Sequence, residues 1–135
     1  WEIVQKMMEK DAFSKWLGVE IMEVKRDFAQ LRLVVRPEML NGFGIAHGGI
    51  AYSLADSALA FAANTAGRVA VSTQTSMTYI KEVKPHDNLI AIANCIHQGN
   101  KIAHYQIEIK NKEDKLVATF NGTVYRSSKM WLKNQ

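Results

Sequence analysis

Between Gly48 and Ala66 the chain carries one charged residue, Asp56, set among alanines. A carboxylate partly stripped of water has a raised pKa, which suits proton abstraction near neutrality. The plainer alternative is a solvated stripe, since Ser53, Asp56, Ser57, Ala60 and Asn64 share one helical face. A solvated face five turns long ordinarily carries several lysines and glutamates, whereas this one carries a single charge. Nine residues before Asp56 stands His47-Gly48-Gly49. If a helix starts there, its first amides lack internal acceptors and lie at the positive end of the helix dipole. Glycine lets a carbonyl oxygen approach that backbone closely. His47 reads as a cap or a packed core histidine. Asn41 precedes Gly42, and Asn-Gly is a turn signal in its own right. Ser72 reads as an ordinary strand residue, with no Gly-x-Ser-x-Gly elbow to make it a nucleophile.

These residues need elements to hold them. Residues 1–17 have apolar positions near helical spacing (Ile3, Val4, Met7, Met8, Phe13, Trp16), predicting an N-terminal helix ended by Gly18. Val19 to Arg36 alternates as two strands joined around Arg26 to Ala29, with Pro37 closing the second. Glu38 to Ala46 reads as a loop. The stretch from His47 to Ala66 predicts a long helix, which Gly67 can end in the left-handed conformation. Four strands follow and are expected to form an antiparallel meander. They are Val71 to Ile80, a run through Leu89 and Cys95, a run through Tyr105 and Ile109, and Leu116 to Tyr125. The turns between the last three are Gln98-Gly99-Asn100-Lys101 and Asn111 to Lys115, and the tail from Arg126 to Gln135 is expected to fray. A helix apolar on nearly every face wants to be wrapped, and a curved antiparallel sheet would wrap it. Such a sheet leaves edges that a second copy can cover.

Composition sets the bounds. The chain has 135 residues, 17 Lys and Arg against 13 Asp and Glu, and a formal charge of +4. That length predicts one domain with a single core, and the order of helices and strands makes it α+β. The mild basicity fits a phosphate-bearing small ligand and is too scattered for nucleic acid. Gly48 to Ala66 is too alanine-rich and carries too central an aspartate to be a membrane span. A single cysteine, Cys95, makes no internal disulfide, and it shares no metal spacing with His86, His97 or His104. No metal, nucleic acid or membrane partner is expected, and the cytoplasm is the expected location.

The string Leu40-Asn41-Gly42-Phe43-Gly44-Ile45-Ala46-His47-Gly48-Gly49, continued by Ser53-Leu54-Ala55-Asp56, resembles the hotdog-fold acyl-CoA thioesterases of the phenylacetic acid degradation (PaaI) type. The likeness extends to Val71-Ser72, Tyr79-Ile80, the turn at Gln98 to Lys101 and the strand around Ile107 to Ile109. It implies a curved sheet wrapped on one long helix, two copies sharing a continuous sheet, and a dimer or a dimer of dimers. It also implies metal-free hydrolysis of acyl- or aryl-CoA between subunits, coenzyme A being part of the substrate rather than a cofactor. By this resemblance Asp56 is general base or nucleophile, and the Gly48 amide is the oxyanion donor. His47 and Asn41 orient the thioester, and Ser72 positions the attacking water. Phosphates of coenzyme A want cations or free amides, which makes Lys81, Lys84, Gly99 and Lys101 candidates. A hydratase or dehydratase acting on acyl thioesters is the alternative enzyme on this scaffold. A non-catalytic acyl-CoA-binding protein is the alternative without chemistry.

Overall fold

The computed structural model describes residues 1–132. Two short helices, α1 (Glu2–Lys10) and α2 (Ala12–Leu17), precede strands β1 (Glu20–Lys25) and β2 (Phe28–Val34). A 3₁₀ turn at Pro37–Met39 and a loop lead to α3 (Gly48–Asn64). Strands β3 (Arg68–Tyr79), β4 (Asn88–Gln98), β5 (Ile102–Lys110) and β6 (Leu116–Met130) complete the chain. All six strands form one sheet in the order β1-β2-β4-β5-β6-β3, antiparallel throughout.

One helix organises the rest. α3 packs against every strand of the sheet, and a single helix can touch six strands only if the sheet curls around it. This is the hotdog arrangement. Small residues make it possible: Ala51, Ala55, Ala58, Ala62 and Ala63 are buried along α3, so the strands approach its backbone on several sides. Leu54, Leu59 and Phe61 fill the spaces between. The strands answer with alternation, as in β5, where Ala103, Tyr105, Ile107 and Ile109 point inward and His104 and Gln106 point out. Bulges at Ser72/Gln74 and Cys95/His97 add local twist, which helps the curl.

The structure departs from the sequence reading in three places. The N-terminal helix of residues 1–17 is two helices, because Asp11 leaves helical geometry and caps α2, its Oδ1 accepting from the Ser14 N–H at 2.9 Å. The last four strands are not a simple meander. β4, β5 and β6 are, but β3 pairs with β6 and lies at the far edge. The tail does not fray from Arg126 onward: β6 runs to Met130, and the Trp131 N–H donates to the Gly67 carbonyl at 3.0 Å. Part of the expected tail, residues 133–135, lies outside the described residues.

β6 crosses α3 at Gly122, and the crossing is close. A Cβ added there would sit 2.5 Å from Leu59 Cδ2, 3.0 Å from Cδ1 and 3.3 Å from Cγ, so the whole end of this buried side chain would have to move. Gly122→Val is therefore expected to lower the unfolding free energy by about 1–3 kcal/mol, the usual cost of overpacking a core. Urea denaturation measures this, and an unchanged midpoint would mean that helix and strand are not held at that distance.

Candidate active site

The loop before α3 is built to aim the helix start. The Asn41 N–H donates to Ile45 O at 2.8 Å, and Asn41 Oδ1 accepts from the Phe43 and Ile45 amides at 2.9 and 3.4 Å. The turn reading of Asn41 is thus correct for its oxygen. With Oδ1 committed, Nδ2 is the group that can donate outward. Two further bonds clamp the loop: Ala46 N–H to Val83 O and His47 N–H to Met39 O, each 2.8 Å.

His47 is the N-cap of α3. Its Nδ1 accepts from the Gly49 N–H at 2.9 Å, so the neutral ring carries its proton on Nε2. That leaves a donor and no free ring lone pair, which fits polarising a carbonyl and not abstracting a proton. The Ile50 amide is taken by His47 O. The Gly48 N–H, first in the helix, has no acceptor among the described residues. Tyr79 on β3 donates its hydroxyl to Gly48 O at 3.0 Å and lies against the glycine, where a Cβ would come within 3.2 Å of the phenol oxygen. Sequence reasoning gave Tyr79 no role, and a tyrosine ending a strand carries no local signal of one. Asn41, His47, Gly48, Tyr79 and Lys81 all border one cavity of about 290 Å³.

Asp56 and Ser72 border another. This second cavity, about 350 Å³, also includes Leu59, Ala60, Val71 and Trp131, and it shares no lining residue with the first. The helix face is solvated only in part. Ser57 Oγ lies 2.8 Å from Ser14 Oγ of α2, and Asn64 is buried. Asp56 remains open at the cavity mouth. Burial by the cavity wall nonetheless pushes its carboxyl above the ordinary 3.8, and the negative charge of Asp11 pushes the same way.

The separation between the two groups is set by the helix. Eight residues at about 1.5 Å each put Gly48 and Asp56 roughly 12 Å apart along α3. The Gly48 N–H also points out of the helix start, away from Asp56. The expected phosphate contacts divide as well. Lys81 sits beside His47, and Lys84 follows in the same connection, which Val83 ties to the loop. Gly99 and Lys101 lie at the opposite end of the sheet, their carbonyls held by Arg126 at 2.7 Å each, and Arg126 pairs with Ala70 near the start of β3. The candidate residues of one chain therefore fall into two groups: Asn41, His47, Gly48, Lys81 and Lys84 at one end, and Asp56, Ser72, Gly99 and Lys101 towards the other. Among the described residues no cluster of His, Cys, Asp or Glu is arranged to hold a metal ion, and no helix is long and apolar enough to cross a membrane.

One curved antiparallel sheet wrapped on a single long helix defines a hotdog protein. The profile of the thioesterase superfamily matches residues 43–118, and the chain belongs to that superfamily. Acyl-coenzyme A thioesterase PaaI of Escherichia coli is 38% identical over 126 residues, 93% of this chain and 90% of the relative. The structure of E. coli PaaI, from the phenylacetic acid degradation operon, matches with a TM-score of 0.94 at 37% identity, over 96% of this chain and 94% of that one. A hypothetical thioesterase protein of Streptococcus pneumoniae, solved with coenzyme A, matches with a TM-score of 0.87 at 27% identity, over 93% and 98% of the two chains.

The raised pKa of Asp56 has a stability consequence with a definite sign. Between 3.8 and its higher folded value, the folded chain holds the Asp56 proton more tightly than the unfolded chain does. The group therefore costs stability as pH rises from 3.8 through the folded pKa, and the cost is complete above that folded value. Asp56→Asn is expected to melt at a higher temperature than wild type at pH 7. The difference should close at pH values below 3.8, where both side chains are neutral. A variant that melts lower at pH 7 would show that Asp56 contributes to stability instead.

Proposed function

We propose that this chain hydrolyses acyl- and aryl-CoA thioesters to the free acid and coenzyme A, at a site completed by a second copy of the chain. Hydrolysis must stabilise charge on the carbonyl oxygen and must deliver water or a carboxylate to the carbonyl carbon. The free Gly48 amide does the first, assisted by the Nε2–H of His47 and the Nδ2 of Asn41. Asp56 of the second copy does the second, either taking a proton from water held by Ser72 or attacking directly. In the first route the proton taken by Asp56 passes to the leaving thiolate as the C–S bond breaks. In the second the C–S bond breaks to leave an acyl–Asp56 anhydride, which water then hydrolyses, releasing the acid, returning the carboxylate and supplying the thiolate's proton. No cofactor enters beyond the coenzyme A that the substrate carries. Its phosphates face Lys81 and Lys84 on one side and Lys101 on the other; the Gly99 N–H is spent on Ile102 O at 2.8 Å and offers no free amide.

The observation that carries this reading is the division of the two constellations between separate cavities of one chain. The exposed edge of β3 supplies a way to join them. Tyr79 and Val71 are 56% and 57% exposed along it, and an unpaired strand of this length invites a partner. Two copies of β3 running antiparallel about a two-fold axis would set the Ser72 end of one against the Tyr79 end of the other. A dimer, or a dimer of dimers, working in the cytoplasm is the assembly we propose.

Thiol release from a panel of acyl- and aryl-CoAs tests the activity. Asp56→Asn should lower kcat by about 10²–10⁴-fold, the usual worth of a general base, with the fold intact. Near-normal turnover by a folded Asp56→Asn protein would remove Asp56 from the chemistry. Double-bond hydration in place of thiol release would make the chain a hydratase.

A further inference from the structure

The cavity beside Asp56 has a built end wall, and the wall comes from the two chain segments that flank the wrapped sheet. Past the carboxylate and Ser72 the lining is apolar: Leu59, Ala60, Val69, Val71 and Val124. Asn64 also borders it, but all four of its hydrogen-bonding positions are taken. Nδ2 donates to the carbonyls of Ala60 and Ala70 at 2.7 and 3.1 Å. Oδ1 accepts from the Ala70 N–H at 2.9 Å and from the Trp131 indole N–H at 2.7 Å. A hydroxyl or charge brought here would find no partner in Asn64 and would be penalised for its lost water.

The same bond fixes Trp131. Its backbone N–H is held by Gly67 O and its indole by Asn64, so the residue is latched across the end of α3. Trp131 and Met7 of α1 border the Asp56 cavity on one side. On the other side they border a cavity of about 530 Å³ whose remaining lining is Lys6, Glu9, Lys10 and Asp11. The two side chains are therefore a partition between an apolar chamber containing the carboxylate and a charged outer space.

We propose that Trp131, with Met7, closes the far end of this chamber and limits the length of an acyl chain that enters it. The inference rests on the proposed thioesterase function, since it makes Asp56 the neighbour of the thioester carbon. A long unbranched chain must pass the partition, and its far end would then meet charged side chains.

The test separates binding from turnover. Non-hydrolysable thioether analogues of phenylacetyl-, octanoyl- and palmitoyl-CoA are titrated calorimetrically against wild type, Trp131→Ala, Trp131→Phe and Met7→Ala, and the matching thioesters are assayed for thiol release. Wild type should bind the phenylacetyl and octanoyl analogues more tightly than the palmitoyl one. Trp131→Ala should move that preference toward palmitoyl by at least about tenfold, within the range that pocket size commands in apolar discrimination. Trp131→Phe keeps most of the bulk and should stay near wild type. Met7→Ala should move the preference in the same direction as Trp131→Ala and decides the matter if Trp131→Ala does not fold. A uniform loss across the three analogues, or a wild type that already prefers palmitoyl, overturns the partition. Chain-length discrimination in binding without thiol release would instead uphold the partition and defeat the hydrolase reading. Binding of none of the analogues would overturn both.

Discussion

An α-helix rises about 1.5 Å per residue, and no packing around it can bring its first amide to a carboxylate eight residues further on. Gly48 and Asp56 belong to the same helix, yet each faces its own cavity. The Gly48 amide can meet a carbonyl oxygen only beyond the helix start, while Asp56 meets whatever lies against the middle of α3. This fixed separation governs the proposed assembly. Either the two groups serve different purposes, or a second helix supplies the missing half. The unpaired edge of β3 runs from Ala70 and Ser72 near the carboxylate to Tyr79 at the helix start, so a two-fold pairing of that edge brings together the ends that one chain keeps apart.

The fold holds these positions with simple parts. Alanines on α3 let six strands close around it, and Gly122 lets β6 pass against Leu59. Tyr52 bonds to Thr75 and packs edge-on to Phe120, fixing the rotation of α3 against β3 and β6. Because α3 cannot turn, His47 and Gly48 present at one end of the molecule and Asp56 at its side. A preorganised donor of this kind needs no rearrangement when charge develops on the substrate, which is where such groups gain their effect. The raised pKa of Asp56 belongs to the same arrangement: the half-enclosed position that strains the carboxylate also makes it a better base.

Much of this was legible in the residues. The alternation in β5, the hairpin at Gln98 to Lys101 and the apolar helix ending near Gly67 are local patterns, and each lies where its pattern placed it. The motif from Asn41 to Asp56 drew attention to both halves of the proposed site, because its residues cluster in sequence. What escaped was set by distant partners. Asp11 breaks the first helix through a cap with Ser14, but the Ser14 hydroxyl is also held by Ser57, 43 residues away. Trp131 looked like part of a loose tail because its anchors, Gly67 and Asn64, lie more than sixty residues earlier. Tyr79 reaches Gly48 across 31 residues, and no periodicity announces that.

The central claim is that each site is built from two chains, and mixed dimers test it most directly. Asn41→Ala damages one half-site and Asp56→Asn the other, and each homodimer should be nearly inactive. After subunit exchange, confirmed by mass spectrometry, a mixed dimer holds one site with both changes and one with neither. Random mixing should restore about a quarter of wild-type thioesterase activity, because half of the two-fold dimers are then mixed and each has one intact site. Confirmed exchange with no recovery would show that each chain builds its own site, and would contradict the proposed sharing.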